Sequence, residues 1–170
     1  CKGRISYQYP LVELLTGIVF ASVFWMHLPF LLSLFSYSVI QLSVMQVVIS
    51  LFIILLEFSL WSLLVALSVY DIKHKIIPNA LVYSSCFISF LLFLYSYLIL
   101  HTSYFMDIWS GFLFAVPFAL LWFFSKGKAI GLGDAKLVIL FPWFLGLAKG
   151  LSALIIGFWL GAAIALCALL

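Results

Sequence analysis

Two aspartates stand out in this sequence because each lies at the edge of a long apolar segment. Asp71 ends one such segment, and Asp134 follows Gly131 and Gly133 at the start of another. Two carboxyl groups that meet can divide the work of hydrolysis, since one removes a proton from water while the other protonates the substrate. We therefore predict that Asp71 and Asp134 meet at one membrane face and form a site of the aspartyl protease type.

Each aspartate also has a simpler structural interpretation. Asp71 fits an interfacial acid at a helix end, and Asp134 fits the N-cap of the helix that follows it. A carboxylate in the last turn of a helix opposes the helix macrodipole, whereas one in the first turn is favoured by it. Such contrasting environments are typical of an acid and a base that work together, so the catalytic hypothesis stands beside the structural one.

The composition indicates a membrane protein. Charged residues make up 8% of this chain, against roughly a quarter of an average soluble chain. The apolar segments are continuous, approach the ~20 residues that a helix needs to cross a bilayer, and lack the alternation of barrel strands. We predict an all-α polytopic transmembrane bundle of about six spans over residues 10–170, after a polar segment over residues 1–9. The predicted spans are about 10–27, 44–70, 79–100, 107–124, 135–148 and 151–170. Residues 28–43 are predicted to form a surface connector, with an interfacial helix within it as the alternative.

The basic residues are unevenly distributed between the two sides of this bundle. When loops are assigned to alternate sides, seven of the eight lysines and arginines fall on the side of Asp71 and Asp134. Cytoplasmic loops of membrane proteins carry such an excess, so we predict that both aspartates lie at the cytoplasmic face. The seven are Lys2, Arg4, Lys73, Lys75, Lys126, Lys128 and Lys136, while Lys149 falls on the other side.

Glu57 is an acid in the middle of a predicted span, where a carboxylate is costly. It precedes Asp71 by 14 residues, which is about 21 Å along a helix axis and too far for both to act on one bond. We predict a protonated or hydrogen-bonded packing role for Glu57. The alternative from a different class is a proton-coupled transporter or channel that uses Glu57, and transporters hold their coupling sites near the middle of the bilayer.

Lys136 and two glycines of the last span have structural interpretations as well. We predict that Lys136 snorkels to the lipid headgroups, and its alternative role is to tune Asp134. Gly157 and Gly161 are predicted to let neighbouring helices pack closely.

Three sequence blocks together resemble the prepilin leader peptidases, which are membrane aspartyl proteases of the GxGD type. The first block is YPLVELL over residues 9–15, the second joins Asp71 to Pro78, and the third is GLGDAKL over residues 131–137. The order, spacing and predicted cytoplasmic placement of all three blocks match the family. The resemblance covers essentially the whole chain.

The resemblance implies that Asp71 and Asp134 are the catalytic pair of an endopeptidase. Its substrate would be a type IV prepilin or pseudopilin, cut after a glycine at the cytoplasmic face of the bacterial plasma membrane, in pilus assembly or type II secretion. The implied partners are the substrate helix and membrane lipid, with no nucleic acid. Rival interpretations are an archaeal preflagellin peptidase and a catalytically inactive scaffold subunit. The residues that would support the catalytic pair belong to the same motifs: Gly131, Gly133, Lys136 and Pro78.

Two cofactors of the family concern the full-length protein, since proteolysis by two aspartates needs none. Many members hold zinc in a cytoplasmic loop with four cysteines, and Cys1 looks like the fourth ligand of such a loop. Many members also N-methylate the new amino terminus with S-adenosylmethionine. A structural zinc site needs four ligands, of which this sequence offers one, and the comparison with the family implies that this chain is an internal portion of a longer enzyme. It would lack the first helix, most of the zinc loop and the last helix.

Overall fold

A computed structural model describes residues 8–35, 44–99, 105–128 and 130–169. Every regular element within these ranges is a helix, which confirms the predicted all-α polytopic class. Cys1 and the rest of residues 1–7 lie outside the described residues. The helices are α1 (Gln8–Phe35), α2 (Val44–His74), α3 (Asn79–Leu98), α4 (Phe105–Ser125), α5 (Leu132–Leu137), α6 (Leu140–Leu145) and α7 (Leu147–Leu169).

Four described segments are long and apolar enough to cross a membrane, judged by length and composition. Helices suit this setting because a helix satisfies its own backbone hydrogen bonds where no water is present. A shorter apolar segment, Leu147–Ala163, lies within α7. The four long segments are Val12–Ser33, Val44–His74, Asn79–Leu98 and Ile108–Ser125.

The first helix is longer than the sequence predicted. Residues 28–43 were expected to form a surface connector, but α1 continues through Pro29 to Phe35, and residues 36–43 lie outside the described residues. Apolar helices tolerate proline when hydroxyl side chains and local adjustments satisfy the freed backbone groups. An apolar segment in lipid therefore remains helical where the same proline in water would favour a loop.

Pro142 explains why the single helix predicted over about 135–148 is two short helices in the structure. Proline has no N–H to donate, and its ring collides with the carbonyl group four residues earlier, which here is that of Val138. The chain instead turns between α5 and α6 with a tighter bond, in which Phe141 N–H donates to Val138 O at 3.3 Å. The second helix, α6, then ends at Gly146, where φ is 80°.

Contacts divide the chain into two compact units, Cys1–Lys75 and Ile76–Leu170. In the first unit α1 packs along α2, and a polar pair joins the two helices. His27 Nε2 lies 2.6 Å from Glu57 Oε2, and these side chains are only 18% and 16% exposed. The predicted hydrogen-bonded packing role of Glu57 is confirmed by this contact.

The short helix α6 lies in the core of the second unit. Leu140 and Pro142 are fully buried. Ser89 of α3 donates from Oγ to the backbone O of Leu140 at 2.8 Å, and Trp143 Nε1 donates to Ile108 O of α4 at 3.1 Å. One hydrogen bond reaches α6 from α3 and the other runs from α6 to α4, and lipid could provide neither.

Close helix packing occurs at glycines other than those expected. A Cβ added at Gly111 would lie 2.9 Å from Trp143 Nε1, and one added at Gly150 would lie 3.0 Å from the backbone of α6. At Gly157 and Gly161, no described atom would lie within 4 Å of an added Cβ. The close packing predicted for the last helix is therefore found near its start, where α6 crosses it.

Replacement of Glu57 by leucine should destabilise the pairing of α1 and α2, because it leaves the His27 side chain without its partner. We expect Glu57→Leu to lower the free energy of unfolding in detergent micelles by about 1 kcal/mol. The double variant His27→Leu/Glu57→Leu should lose less than the sum of the two single losses. Denaturant titrations followed by tryptophan fluorescence measure these differences.

The matched control for this cycle is Ser59→Ala, which removes an exposed hydroxyl on the same helix. Ser59 Oγ donates only within α2, to Leu55 O at 2.8 Å, so its loss should change the free energy of unfolding little. Single losses at His27 and Glu57 that simply add in the double variant would contradict the pairing.

Candidate active site

Asp71 lies in the last turn of α2, and its side chain is exposed. Its backbone O accepts a hydrogen bond from Lys75 N–H at 2.7 Å, and Lys75 has a positive φ of 53°. A left-handed residue that bonds back in this way is a common helix terminus, usually made with glycine. The backbone at Asp71 is therefore held by the end of the helix, whereas its carboxylate remains accessible.

An apolar groove of about 510 Å³ runs between α1 and α2 toward this turn. Its walls include Phe20 and Val65, and its polar end carries Tyr70, Lys73 and His74. The rings of Tyr70 and His74 lie 4.5 Å apart, centroid to centroid. The groove thus combines apolar walls with a basic end that flanks Asp71 along the chain.

Asp134 is the third residue of α5, and Gly131 is the N-cap of that helix, with φ of −72° and ψ of 147°. Asp134 Oδ2 accepts a hydrogen bond from Gly131 N–H at 3.2 Å, and Gly131 O accepts one from Asp134 N–H at 3.2 Å. The first bond is the one that the acidic residue contributes to a capping box. The other bond of a capping box needs a side chain at the N-cap, which glycine does not have. The helix therefore begins at Leu132, and Asp134 stabilises its first turn from the third position rather than as the predicted cap.

Gly133 lies where α5 approaches the segment before α3 most closely. A Cβ added at Gly133 would lie 2.8 Å from Ile77 Cβ and 3.3 Å from both Ile77 Cγ2 and Ile77 Cδ1. A Cβ added at Gly131 would meet Asp134 Oδ2 at 3.4 Å, an ordinary contact. Of the two motif glycines, Gly133 is therefore the one at which a side chain would collide with a neighbouring residue.

Lys136 joins α5 to the beginning of α3. Its Nζ donates to Asn79 Oδ1 at 3.1 Å and to Tyr83 OH at 3.2 Å, and it lies 5.3 Å from the centroid of the Tyr83 ring. These protein contacts were not predicted, and the snorkelling of Lys136 to the headgroups stays a prediction. Pro78 precedes this cluster as the N-cap of α3 and accepts the Leu81 N–H at 3.1 Å.

The second unit brings five of the predicted site residues to one region, where α5 meets the start of α3. Asp71 belongs to the first unit, and its pairing with Asp134 stays a prediction. Sequence analysis missed Asn79, although an amide directly after Pro78 at the start of an apolar segment was a visible signal. The five residues are Pro78, Gly131, Gly133, Asp134 and Lys136.

The described residues offer no support for the predicted zinc site. Among them, no group of three or more His, Cys, Asp or Glu side chains could hold a metal ion. Cys1, the predicted ligand, lies outside the described residues.

Residues 58–166 match the type IV leader peptidase family. This match covers more than half of the chain and includes Asp71, Pro78 and all of α5. The chain therefore belongs to the type IV leader peptidase family. Membership indicates a peptidase, and together with the apolar helices it indicates a membrane protein. Comparisons with curated proteins and with solved structures give no match.

The two motif glycines should respond differently to alanine. Gly133→Ala forces a methyl group against Ile77, and overpacking of this kind costs roughly 1–3 kcal/mol. Gly131→Ala meets only an ordinary contact in an extended conformation that alanine adopts, so we expect a cost below about 1 kcal/mol. Thermal unfolding of both variants in the same detergent measures the difference. Equal losses would show that Gly133 is not the packed position.

Proposed function

We propose that this chain is a membrane aspartic endopeptidase that removes the leader peptide of type IV prepilins or pseudopilins. The observation that carries this proposal is the packing of Gly133, beside Asp134, against Ile77. Ile77 follows Asp71 by only six residues, so the segment that contacts α5 continues directly from the helix of Asp71. The family match, which spans both aspartates, supports the same assignment.

In the proposed reaction Asp71 and Asp134 share one proton before the substrate is cut, because two adjacent carboxylates do not readily both ionise. The ionised aspartate accepts a proton from water as the water oxygen bonds to the scissile carbonyl carbon, and the other aspartate protonates the carbonyl oxygen. The tetrahedral intermediate then collapses. The aspartate that took the water proton gives it to the leaving nitrogen as the C–N bond breaks, while the other aspartate takes back a proton from a hydroxyl of the intermediate. The leader carboxyl group and the new amino terminus are released, and the pair again shares one proton.

The distribution of charge supports cleavage at the cytoplasmic membrane face. Lys73, Lys75, Lys126 and Lys128 follow or end the helices α2 and α4, as expected for cytoplasmic loops. The groove beside Asp71 has apolar walls, which suit a substrate that is itself a membrane helix. N-methylation with S-adenosylmethionine remains an implication of the sequence resemblance and enters no step of this proposal.

Glu57 is the acid on which the transporter alternative depends. It lies just outside the matched residues 58–166 and is paired with His27. A structural partner accounts for its presence in α2. Glu57 therefore provides a useful control acid in the same helix as Asp71.

Removal of either aspartate should stop proteolysis. We expect Asp71→Asn and Asp134→Asn each to lower the rate of prepilin cleavage in membranes at least about 100-fold, because acid–base catalysis contributes roughly 10²–10⁴-fold. The measurement is the appearance of the shortened prepilin on a gel, confirmed by mass spectrometry of its amino terminus.

The control variant for this experiment is Glu57→Gln, which also replaces one acid of α2 by its amide and keeps hydrogen-bonding capacity toward His27. It should insert into the membrane and cleave at close to the original rate. Full cleavage by Asp71→Asn or Asp134→Asn would rule out that residue as catalytic. Loss of cleavage in Glu57→Gln would give Glu57 a part in proteolysis and contradict its packing role.

A cross-linking experiment tests the meeting of the two aspartates independently of catalysis. In a full-length chain whose native cysteines are alanine, Asp71→Cys combined with Asp134→Cys should form an intramolecular disulfide under mild oxidation, which requires Cα atoms within roughly 7 Å. The control pair is Asp71→Cys with Lys149→Cys, because Lys149 is predicted to lie on the opposite side of the membrane. Equal cross-linking of both pairs, or none of the first, would contradict the paired site.

A further inference from the structure

The helix that carries Asp134 is too short to hold its own orientation. α5 has six residues, and isolated helices need roughly 12–15 residues to be even marginally stable in water. Asp134 and Lys136 are two positions apart, which is about 200° around a helix. Asp134 and Lys136 therefore point to nearly opposite sides of α5. Whatever holds Lys136 sets the direction in which Asp134 faces.

Lys136 is held by two side chains on one face of α3. Asn79 and Tyr83 are four positions apart, a spacing that places side chains next to each other on a helix. The ammonium group donates to the amide oxygen of Asn79 and to the hydroxyl of Tyr83, at 3.1 Å and 3.2 Å. Both acceptors are neutral, so this contact fixes a position and does not neutralise the charge of Lys136.

Two further contacts join α5 to α3 and to the segment before it. Cys86, on the next turn of α3, has its Sγ 3.7 Å from the backbone O of Lys136. Ile77, two residues before Asn79, occupies the space beside Gly133. α3 and the segment before it thus contact α5 at Lys136 and at Gly133, on either side of Asp134 in the sequence.

We propose that Asn79 and Tyr83, acting through Lys136, form a positioning site that sets the rotation of α5 and hence the direction of the Asp134 carboxylate. This inference rests on the proposed role of Asp134 in proteolysis. Lys136, Asn79 and Tyr83 are positioning residues, because none of them is required to exchange a proton with the substrate. Their loss should misdirect an acid that is still present.

The test is the steady-state kinetics of prepilin cleavage by the full-length protein in membranes. Lys136→Met keeps the apolar stem and removes the donors, and it should lower kcat at least about tenfold with KM changed less than about twofold, since small misplacements of reacting groups reduce rates strongly. Asn79→Ala should lower kcat in the same direction. Both variants break the same contact between Lys136 and Asn79. The kcat of Asn79→Ala/Lys136→Met should therefore be no lower than that of Lys136→Met alone.

Two further variants separate positioning from a general loss of structure. Lys136→Arg keeps a charged donor and should recover part of the kcat lost in Lys136→Met. Lys149→Met removes an exposed lysine at the start of α7 and should leave kcat and KM unchanged. Strictly multiplicative effects of Asn79→Ala and Lys136→Met would overturn the inference, because independent residues behave in that way.

The outcomes also separate this inference from the proposed function. If Asp134→Asn is inactive while Lys136→Met retains its full kcat, the positioning site is wrong and the aspartic mechanism stands. An increase in KM alone for Lys136→Met would mean that the lysine binds substrate, and this would also overturn the inference. If Asp134→Asn still cleaves prepilin, the proposed function itself fails.

Discussion

The contact between α5 and the start of α3 is the interaction on which the rest of the candidate site depends. Gly133 leaves space for Ile77, and the Lys136 ammonium group reaches Asn79 and Tyr83. These contacts hold a helix of six residues that could not persist alone. Asp134, the third residue of this helix, lies between Gly133 and Lys136, which make these contacts. The helix that carries Asp134 is thus held by its contacts with a neighbouring helix.

The second unit shows how short helices can be stable in a chain of such low polarity. Pro142 prevents α5 and α6 from forming one helix, which frees backbone groups that lipid could not satisfy. Ser89 and the indole of Trp143 make hydrogen bonds across this region, and Gly111 lets α4 approach closely. The irregular backbone is tolerated because it is enclosed by other helices.

The first unit places its polar groups differently. It holds a hydrogen-bonded pair, His27 and Glu57, between two long apolar helices, and it leaves Asp71 exposed in the last turn of α2. Polar groups in lipid are costly unless they are paired, so the half-buried Glu57 has a partner. The exposed Asp71 remains accessible to water. The same chemical group therefore has a packing role at one depth and a proposed catalytic role at another.

The amino-acid sequence by itself determined the helical membrane class, the long spans and the positions of Asp71 and Asp134 near helix ends. These features depend on composition and on residues close together along the chain, where the local pattern carries the information. Tertiary structure decided which motif glycine is packed and what Lys136 contacts, since Lys136 and Asn79 are 57 residues apart. Tertiary structure also decided that α1 continues through Pro29, whereas Pro142 separates α5 from α6. Two prolines in apolar segments look alike in sequence. Their effects on the helix differ because the surroundings of each proline decide whether the lost backbone hydrogen bond is compensated.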